Sequence, residues 1–209
     1  MSYKIIAVLG ASTAQGFWDE TGAGWFGRLA TKISAEHPFQ YGFCNCSVDG
    51  DSVADSFHRL NAEVISREPD ILIIETGSND LTRSPDKDSP AALSGYFSTE
   101  YWHRLLECAK KNIPNVIVLD VRPRRNDTAS FTGGWSNAVM YKPNSDIAEY
   151  NKLLEDVCKK HDVPFIRRFD KWIARDLSKL HHDNSHPNGA GHQLIADEVY
   201  EELIKLGVI

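Results

Sequence analysis

The sequence predicts an α/β protein in which a central parallel sheet of about five strands carries helices on both faces. Apolar runs of strand length alternate with segments of helical periodicity along the 209-residue chain. This alternation is typical of parallel sheets. The first run, at 4–10, is apolar up to a closing glycine, as expected for a strand buried on both faces. Ligands of such sheets bind beyond the carboxyl ends of the strands, so these ends are the places to search for a site.

Each element follows from its own local pattern. Strands are predicted at 4–10, 40–48, 70–77, 115–121 and 163–169. Helices are predicted at 25–36, after Ser52, at 99–112, at 145–161 and from about 190 onwards. Ser52 and Asp55 have the spacing of an N-terminal cap, and Gly207 suits the C-terminal end of the last helix. We expect one domain over residues 1–209.

The composition narrows the class of protein. Hydrophobic residues make up 42% and charged residues 25%, and the formal net charge is -6. A nucleic-acid partner is not expected, because no Lys/Arg run stands out. The N-terminal apolar run is too short for a secretion signal or a membrane span, so we expect a cytoplasmic protein without a membrane partner. The four cysteines lack metal-ligand spacing and are predicted to be free thiols. A homo-oligomer stays open.

Four segments that meet at the expected ligand-binding edge carry the elements of acyl-transfer chemistry. Ser12 follows the first strand, Gly50 the second and Asn79 the third, while Asp183 and His186 precede the last helix. Acyl transfer needs a nucleophile, a base, a carboxylate that orients the base, and hydrogen-bond donors for the oxyanion. Ser12, His186 and Asp183 can supply the first three. The N–H groups of Ser12 and Gly50 and the Asn79 amide can supply the donors.

These segments, in this order, resemble the SGNH or GDSL hydrolase family, the GDSL-like lipases and acylhydrolases. The matching stretches are "GAST", "NCSVDGDSVADSFHRL", "IIETGSNDLTR" and "DNSHPNGAGHQLIADEVYEEL". The resemblance implies a three-layer α/β/α sandwich of flavodoxin-like topology and the activity of a carboxylic ester hydrolase. It also implies that Ser12, Asp183 and His186 form a catalytic triad, that Ser12, Gly50 and Asn79 form the oxyanion hole, and that no cofactor is needed.

One position departs from the family pattern. The first block of the family usually reads Gly-Asp-Ser, and Ala11 takes the place of that aspartate here. The aspartate is not part of the triad, so hydrolysis remains the expectation. Its loss removes hydrogen bonds that normally shape the nucleophile turn, and Asp80 is the neighbour considered as a substitute.

The substrate follows less directly from the sequence. We expect a small soluble ester that carries a short, acetyl-type acyl group, for instance on a carbohydrate. Arg122 and Trp135, in the long segment 122–144, are the candidate substrate-binding residues. The segment serves equally well as an arm for contact between subunits. A lysophospholipase or thioesterase activity is an alternative.

The histidines at 181–192 raise a different possibility. His182 and His186 are four residues apart, as in helical zinc sites, but Pro187 disfavours a helix there, so no metal is expected. His181 and His182 are predicted to be solvated or near the substrate, and His192 to face solvent or pack on the loop. Two further alternatives remain: a metal-dependent phosphoesterase built on Asp49, Asp51, Asp80 and the histidines, and a non-catalytic small-molecule-binding relative.

Overall fold

A parallel five-stranded sheet forms the centre of the protein. The computed structural model describes residues 3–126, 131–132 and 139–209. The strands are β1 (Lys4–Gly10), β2 (Tyr41–Asn45), β3 (Ile71–Glu75), β4 (Asn115–Leu119), β5 (Phe131–Thr132), β6 (Val139–Met140) and β7 (Phe165–Ile166). The central sheet has the order β2-β1-β3-β4-β7, whereas β5 and β6 form a separate antiparallel pair. The predicted α/β class and parallel sheet are thereby confirmed.

Helices cover both faces of the sheet. They are α1 (Ser12–Gln15), α2 (Gly24–Glu36), α3 (Val53–Arg59), α4 (Gly95–Asn112), α5 (Asn144–Lys160), α6 (Phe169–Ile173) and α7 (Gly189–Lys205). Side chains of α2 and α7 join one hydrophobic cluster, and those of α3, α4 and α5 join the other. The result is three layers with a hydrophobic core on each side of the sheet.

The third strand shows why its sequence is continuously apolar. Leu72 and Ile74 point into the cluster under α3, α4 and α5, while Ile71 and Ile73 point into the cluster under α2 and α7. All four side chains are fully buried. A strand that is covered on both faces needs apolar residues at every position, because successive side chains point to opposite faces.

The helix ends follow the predicted capping chemistry. Ser52 accepts a hydrogen bond from the Asp55 N–H, and the Asp55 carboxylate accepts one from the Ser52 N–H at 2.9 Å. This reciprocal pair satisfies two N–H groups that a helix start leaves without partners. Gly207 follows the end of α7 with φ 66°, a left-handed conformation that favours glycine. Both predictions are confirmed.

Several boundaries differ from the sequence prediction, and three of them have an identifiable structural form. Helix α4 begins at Gly95, four residues earlier than predicted. Helix α3 ends at Arg59, and a π-helical turn at Leu60–Val64 continues it. Strand β7 contains two residues instead of seven, because the Arg168 N–H turns toward Asp120 and donates to its carboxylate at 2.6 Å. A buried carboxylate thus ends the strand that the apolar pattern would extend.

The strand order places a crevice where the predicted site residues converge. Strands β1 and β3 are neighbours in the sheet, although β2 lies between them in sequence. This reversal of strand order is the usual ligand-binding position in flavodoxin-like sheets. The segments after β1 and β3, which contain Ser12 and Asn79, begin at this position. In the part of the chain that the structure describes, no helix is long and apolar enough to cross a membrane.

Close packing of β1 against β3 gives a test of the fold. A Cβ at Gly10 would overlap the Glu75 carbonyl oxygen and lie 2.7 Å from the Ala14 Cβ. We expect Gly10→Ala to lower the free energy of unfolding by about 1–3 kcal/mol, the usual cost of overpacking. The control is Gly95→Ala, where a Cβ meets open space at the start of α4. Urea unfolding of both variants checks this, and equal midpoints would contradict it.

Candidate active site

The Ser12 hydroxyl lies on a short turn at the carboxyl end of β1. Ser12 is the first residue of α1, where a backbone N–H has no partner within the helix. The turn is fixed by a hydrogen bond from the Ala11 N–H to the Glu75 carbonyl at 3.3 Å and by one from the Asn45 amide to the Ala14 carbonyl at 2.9 Å. The Ser12 hydroxyl and N–H therefore sit on a backbone that two neighbouring strands support.

A compact loop presents Asp183 and His186. One carboxylate oxygen of Asp183 accepts hydrogen bonds from the N–H groups of Ser185 at 2.6 Å and His186 at 2.7 Å. The His182 N–H donates to the His186 carbonyl at 2.9 Å and closes the loop. These contacts explain the spacing in "DNSHP", because a short aspartate side chain three residues before the histidine folds the loop around itself.

Asp183, His186 and Ser12 form a hydrogen-bonded chain. Asp183 Oδ2 lies 2.8 Å from His186 Nδ1, and Ser12 Oγ lies 3.0 Å from His186 Nε2. A carboxylate only accepts, so Nδ1 carries the proton and Nε2 is free to accept from the serine. Partial burial raises the pKa of Asp183, but hydrogen bonds and the charge of His186 outweigh it and hold that pKa well below its usual range. The arrangement can transfer the Ser12 proton to His186.

Two of the three predicted oxyanion donors, Ser12 and Asn79, line one cavity at the strand ends. The Asn79 amide donates to the Asp51 carbonyl at 3.0 Å, which ties the Gly50 turn to Asn79. Gly50 has φ 83°, so a glycine is needed for the conformation, and its N–H has no acceptor among the described residues. Steric crowding does not require the glycine, since a Cβ at position 50 would have no atom within 4 Å.

Lys142, which the sequence did not indicate as a site residue, contacts Asn79 from the other side. Its Nζ lies 3.2 Å from Asn79 Oδ1 and 3.2 Å from Ser78 Oγ, and the residue is 3% exposed. Because the Asp51 carbonyl only accepts, the amide nitrogen of Asn79 faces Asp51 and its oxygen faces Lys142. Burial and the neighbouring Arg124 hold the pKa of Lys142 well below its usual value, while Asp80 opposes this.

A buried charge network lies beneath the Ser12 turn. Glu75, at the end of β3, accepts from Trp25 Nε1 at 2.7 Å and from Arg168 at 3.2 Å. Asp120, directly after β4, accepts from Arg168 Nε at 3.2 Å. Burial raises the pKa of Asp120, and the charge of Arg168 opposes the shift. The guanidinium of Arg168 therefore joins the ends of two strands.

Arg122, a predicted substrate-binding residue, supports the Ser12 turn. Its Nη2 donates to Thr13 Oγ1 at 2.8 Å, its Nε faces Glu75 at 3.4 Å, and its guanidinium lies over the Trp172 ring. Its Nη1 is buried and has no hydrogen-bond partner among the described residues. The side chain also lines the cavity beside Ser12. Trp135 lies outside the described residues.

Two predictions about neighbouring side chains are wrong. Asp80 does not substitute for the aspartate that the family usually has at position 11. Its carboxylate instead accepts hydrogen bonds from Tyr150 at 2.7 Å and from the Val53 N–H at 3.0 Å. Asn45 and Arg122 support the turn instead. For His192, which was expected to face solvent or to pack on the loop, the solvent-facing alternative is wrong, because the residue is fully buried and accepts from the Trp25 N–H at 3.1 Å.

The histidines do not gather into a metal site. His181 was expected to be solvated or near the substrate, and the first alternative is wrong because the residue is 3% exposed. The exposed His182 ring stacks on Trp18. Asp51 pairs with Arg59, and Asp80 is held by its own donors. Within the described ranges, no group of three His, Cys, Asp or Glu side chains could hold a metal ion.

Fold and site together define an α/β protein with the arrangement of an ester hydrolase. The pattern of the GDSL-like lipase/acylhydrolase family matches residues 8–194. The chain belongs to this family and is a carboxylic ester hydrolase, as the sequence motifs predicted.

Known relatives agree with this assignment. An arylesterase from Vibrio mimicus is 23% identical over 201 residues, which are 96% of this chain and 88% of the relative. A lipase/acylhydrolase from Enterococcus faecalis has a similar structure, with TM-score 0.77, 20% identity and coverage of 96% of this chain and 95% of that one. An acetylxylan esterase from Geobacillus stearothermophilus is also similar in structure, with TM-score 0.76 and 16% identity. The match covers 97% of this chain and 94% of that one. At these identities, the two structures show a shared fold.

The buried His181 predicts acid sensitivity. Burial, together with the nearby Arg122, lowers the pKa of His181 to about 3. An unfolded histidine takes up a proton near pH 6.5, so stability is complete above that pH and falls as the pH drops toward 3. Between pH 6.5 and pH 3, one such histidine lowers the free energy of unfolding by about 1.4 kcal/mol for each pH unit of acidification.

The measurement is urea unfolding at pH 7 and pH 5. We expect His181→Gln to lose about 2 kcal/mol less than the parent protein between these values, since the variant lacks this titration. His58→Gln, on the exposed surface of α3, is the control. Identical pH dependence in His181→Gln and the parent would refute the assignment.

The contact of Lys142 with Asn79 predicts a loss of turnover. We expect Lys142→Met to lower kcat about tenfold with little change in KM, less than the hundredfold or greater loss typical of deleting an oxyanion donor. In an Asn79→Ala background the same change should cost nothing further, because the group that it positions is gone. The control is Lys152→Met, at an exposed position of α5. Steady-state kinetics check this, and additive losses would contradict it.

Proposed function

We propose that this protein is a serine-dependent esterase that removes a short, acetyl-type acyl group from a small soluble or carbohydrate substrate through an acyl-enzyme. The observation that carries the proposal is the hydrogen-bonded chain from Asp183 through His186 to Ser12, with contacts of 2.8 and 3.0 Å. The solved acetylxylan esterase with the same fold supports an acetyl ester as the substrate class.

The chemistry proceeds in two halves. Ser12 Oγ attacks the ester carbonyl while His186 Nε2 takes its proton, and the carbonyl π electrons move onto the oxygen. The N–H groups of Ser12 and Gly50 and the Asn79 amide stabilise this oxyanion. His186 then gives the proton to the alcohol oxygen as the carbon–oxygen bond breaks. Water repeats the sequence on the acyl-enzyme and releases the acid.

Asp183 supports both halves without exchanging a proton. Its carboxylate holds the His186 tautomer with the proton on Nδ1, and it stabilises the imidazolium that forms during each attack. The low pKa of Asp183 keeps it ionised through the neutral range. His186 is consequently the group whose protonation state changes.

The cavity beside Ser12 favours a short acyl group. Its volume is about 40 Å³. Its lining includes the polar or charged residues Thr76, Asp120, Arg122 and Arg124. A long alkyl chain would have to bury methylene groups against these buried charges, which is unfavourable. A lysophospholipase or long-chain thioesterase activity is therefore less well supported than removal of an acetyl-type group.

Labelling and an ester panel test the proposal together. We expect a fluorophosphonate probe to label the parent protein and not Ser12→Ala, and we expect that variant to lose at least about a thousandfold in kcat. With a constant alcohol, kcat/KM should be highest for acetyl and fall steadily from butyryl to octanoyl. Ser47→Ala, another serine near a strand end, is the control.

The outcomes separate the alternatives. Activity that survives in Ser12→Ala but disappears with EDTA would support the metal-dependent phosphoesterase and refute the serine mechanism. A maximum at octanoyl would support the long-chain acylhydrolase. Failure of the probe to label the parent protein, with no turnover of any ester, would point to a binding protein.

A further inference from the structure

Two aromatic rings form a ledge beside the candidate active site. The rings of Trp18 and His182 are stacked, with centroids 4.4 Å apart and an angle of 15° between their planes. Trp18 is 47% exposed, and His182 is also exposed. We call this pair the Trp18–His182 ledge. The pair presents an aromatic surface to solvent.

The ledge is connected to His186 through the Phe17 ring and through the His182 backbone. The Phe17 ring lies 5.2 Å from the His186 ring and 5.2 Å from the Trp18 ring. The backbone of His182 is joined to that of His186 by the hydrogen bond that closes the loop. Both halves of the ledge are thus attached to residues that contact or carry the candidate base.

The backbone of Trp18 is strained. Its φ is 63°, a left-handed conformation that is uncommon for a bulky residue. The preceding residue fixes it, since the Phe17 N–H donates to the Ser12 carbonyl and the Phe17 carbonyl accepts from His192 Nε2, both at 2.9 Å. Strained residues that the surroundings hold in place are concentrated at functional sites. A glycine would adopt this conformation freely. Phe39 has a similar φ of 64°, and Trp18 differs from it in lying next to residues that contact the candidate base.

The proposed reaction determines which part of the substrate meets the ledge, and this inference rests on that proposal. His186 Nε2 must give its proton to the leaving alcohol oxygen, so the alcohol lies on the His186 side of the scissile bond. The small polar cavity lined by Thr76 and Arg122 is left for the acyl group. The alcohol group therefore extends over the Trp18–His182 ledge.

We infer that the Trp18–His182 ledge binds the sugar ring of an acylated carbohydrate. A pyranose ring has a flat face of C–H groups, which packs on an indole, and an edge of hydroxyl groups, which needs polar neighbours. The loop that carries His182 continues with polar Asn184 and Ser185, whose backbone and side chains are partly exposed. A flat aromatic face beside such a polar loop suits a sugar better than an alkyl alcohol.

The test compares alcohols at a constant acyl group. The substrates are an acetylated methyl pyranoside, phenyl acetate and ethyl acetate. The main variant is Trp18→Gly, which removes the ring and tolerates the left-handed backbone. The matched control is Phe39→Gly, because Phe39 is also aromatic and exposed, at 96%, with φ 64°, and it lies outside the site. Trp18→Phe retains an aromatic face.

We expect Trp18→Gly to raise KM for the acetylated pyranoside about tenfold, as the loss of one aromatic contact implies. Its kcat/KM for ethyl acetate should stay within about twofold of the parent value. Phe39→Gly should match the parent on all three substrates, and Trp18→Phe should recover most of the lost affinity. Near-UV circular dichroism establishes that each variant is folded.

Three results would overturn the inference. An unchanged KM for the pyranoside would show that the ledge does not bind the sugar. Equal losses on all three esters would show a structural role for Trp18. A loss confined to phenyl acetate would identify a site for aryl alcohols. Ser12→Ala, run in parallel, separates these results from failure of the serine mechanism, because only that failure leaves Ser12→Ala active.

Discussion

The Arg168 guanidinium, buried between Glu75 and Asp120, is the interaction on which the rest of the site depends. It joins the carboxyl ends of β3 and β4, and Glu75 in turn receives Trp25 from α2 and Arg122 from the segment after β4. Isolated charges at this depth would be very costly, and removing one partner of such a set typically costs about 3–5 kcal/mol. Mutual compensation keeps carboxylates at strand ends where apolar side chains would otherwise pack.

This network also explains how the Ser12 turn keeps its shape without the aspartate usual in the family. The Glu75 backbone carbonyl accepts from Ala11, and the Arg122 guanidinium reaches Thr13. An aspartate at position 11 would support the turn from within. Here β3 and the segment after β4 support the turn instead. The turn is consequently coupled to the same charges that fix the strand ends, and a change at Glu75 would act on Ser12 although the two side chains share no hydrogen bond.

The strands and the Asp183–His186 loop were predictable because their signals are local, whereas the contact of Ser12 with His186, across 174 positions, was expected from the resemblance to the family. Apolar runs set the strands, and an aspartate three residues before a histidine sets a loop through its own backbone contacts. Lys142 and His192 were not predictable in the same way. Lys142 meets Asn79 across 63 positions, and His192 meets Phe17 across 175. A lysine near a long loop, or a histidine in an amphipathic helix, is ordinarily solvated, and only tertiary packing makes each of them a buried support.

In the proposed mechanism, the two buried supports lie on opposite sides of the scissile bond. Lys142 contacts the side-chain oxygen of Asn79, the residue proposed to donate to the oxyanion. His192 fixes the Phe17 carbonyl and, through it, the strained backbone that exposes Trp18 beside His186. Lys142 lies just before α5 and His192 lies within α7, and these two helices pack on opposite faces of the sheet. Substitutions on the alcohol side can therefore alter which alcohol is accepted while the geometry that stabilises the oxyanion stays intact, so specificity for the alcohol and chemistry at the acyl carbon can vary separately on this fold.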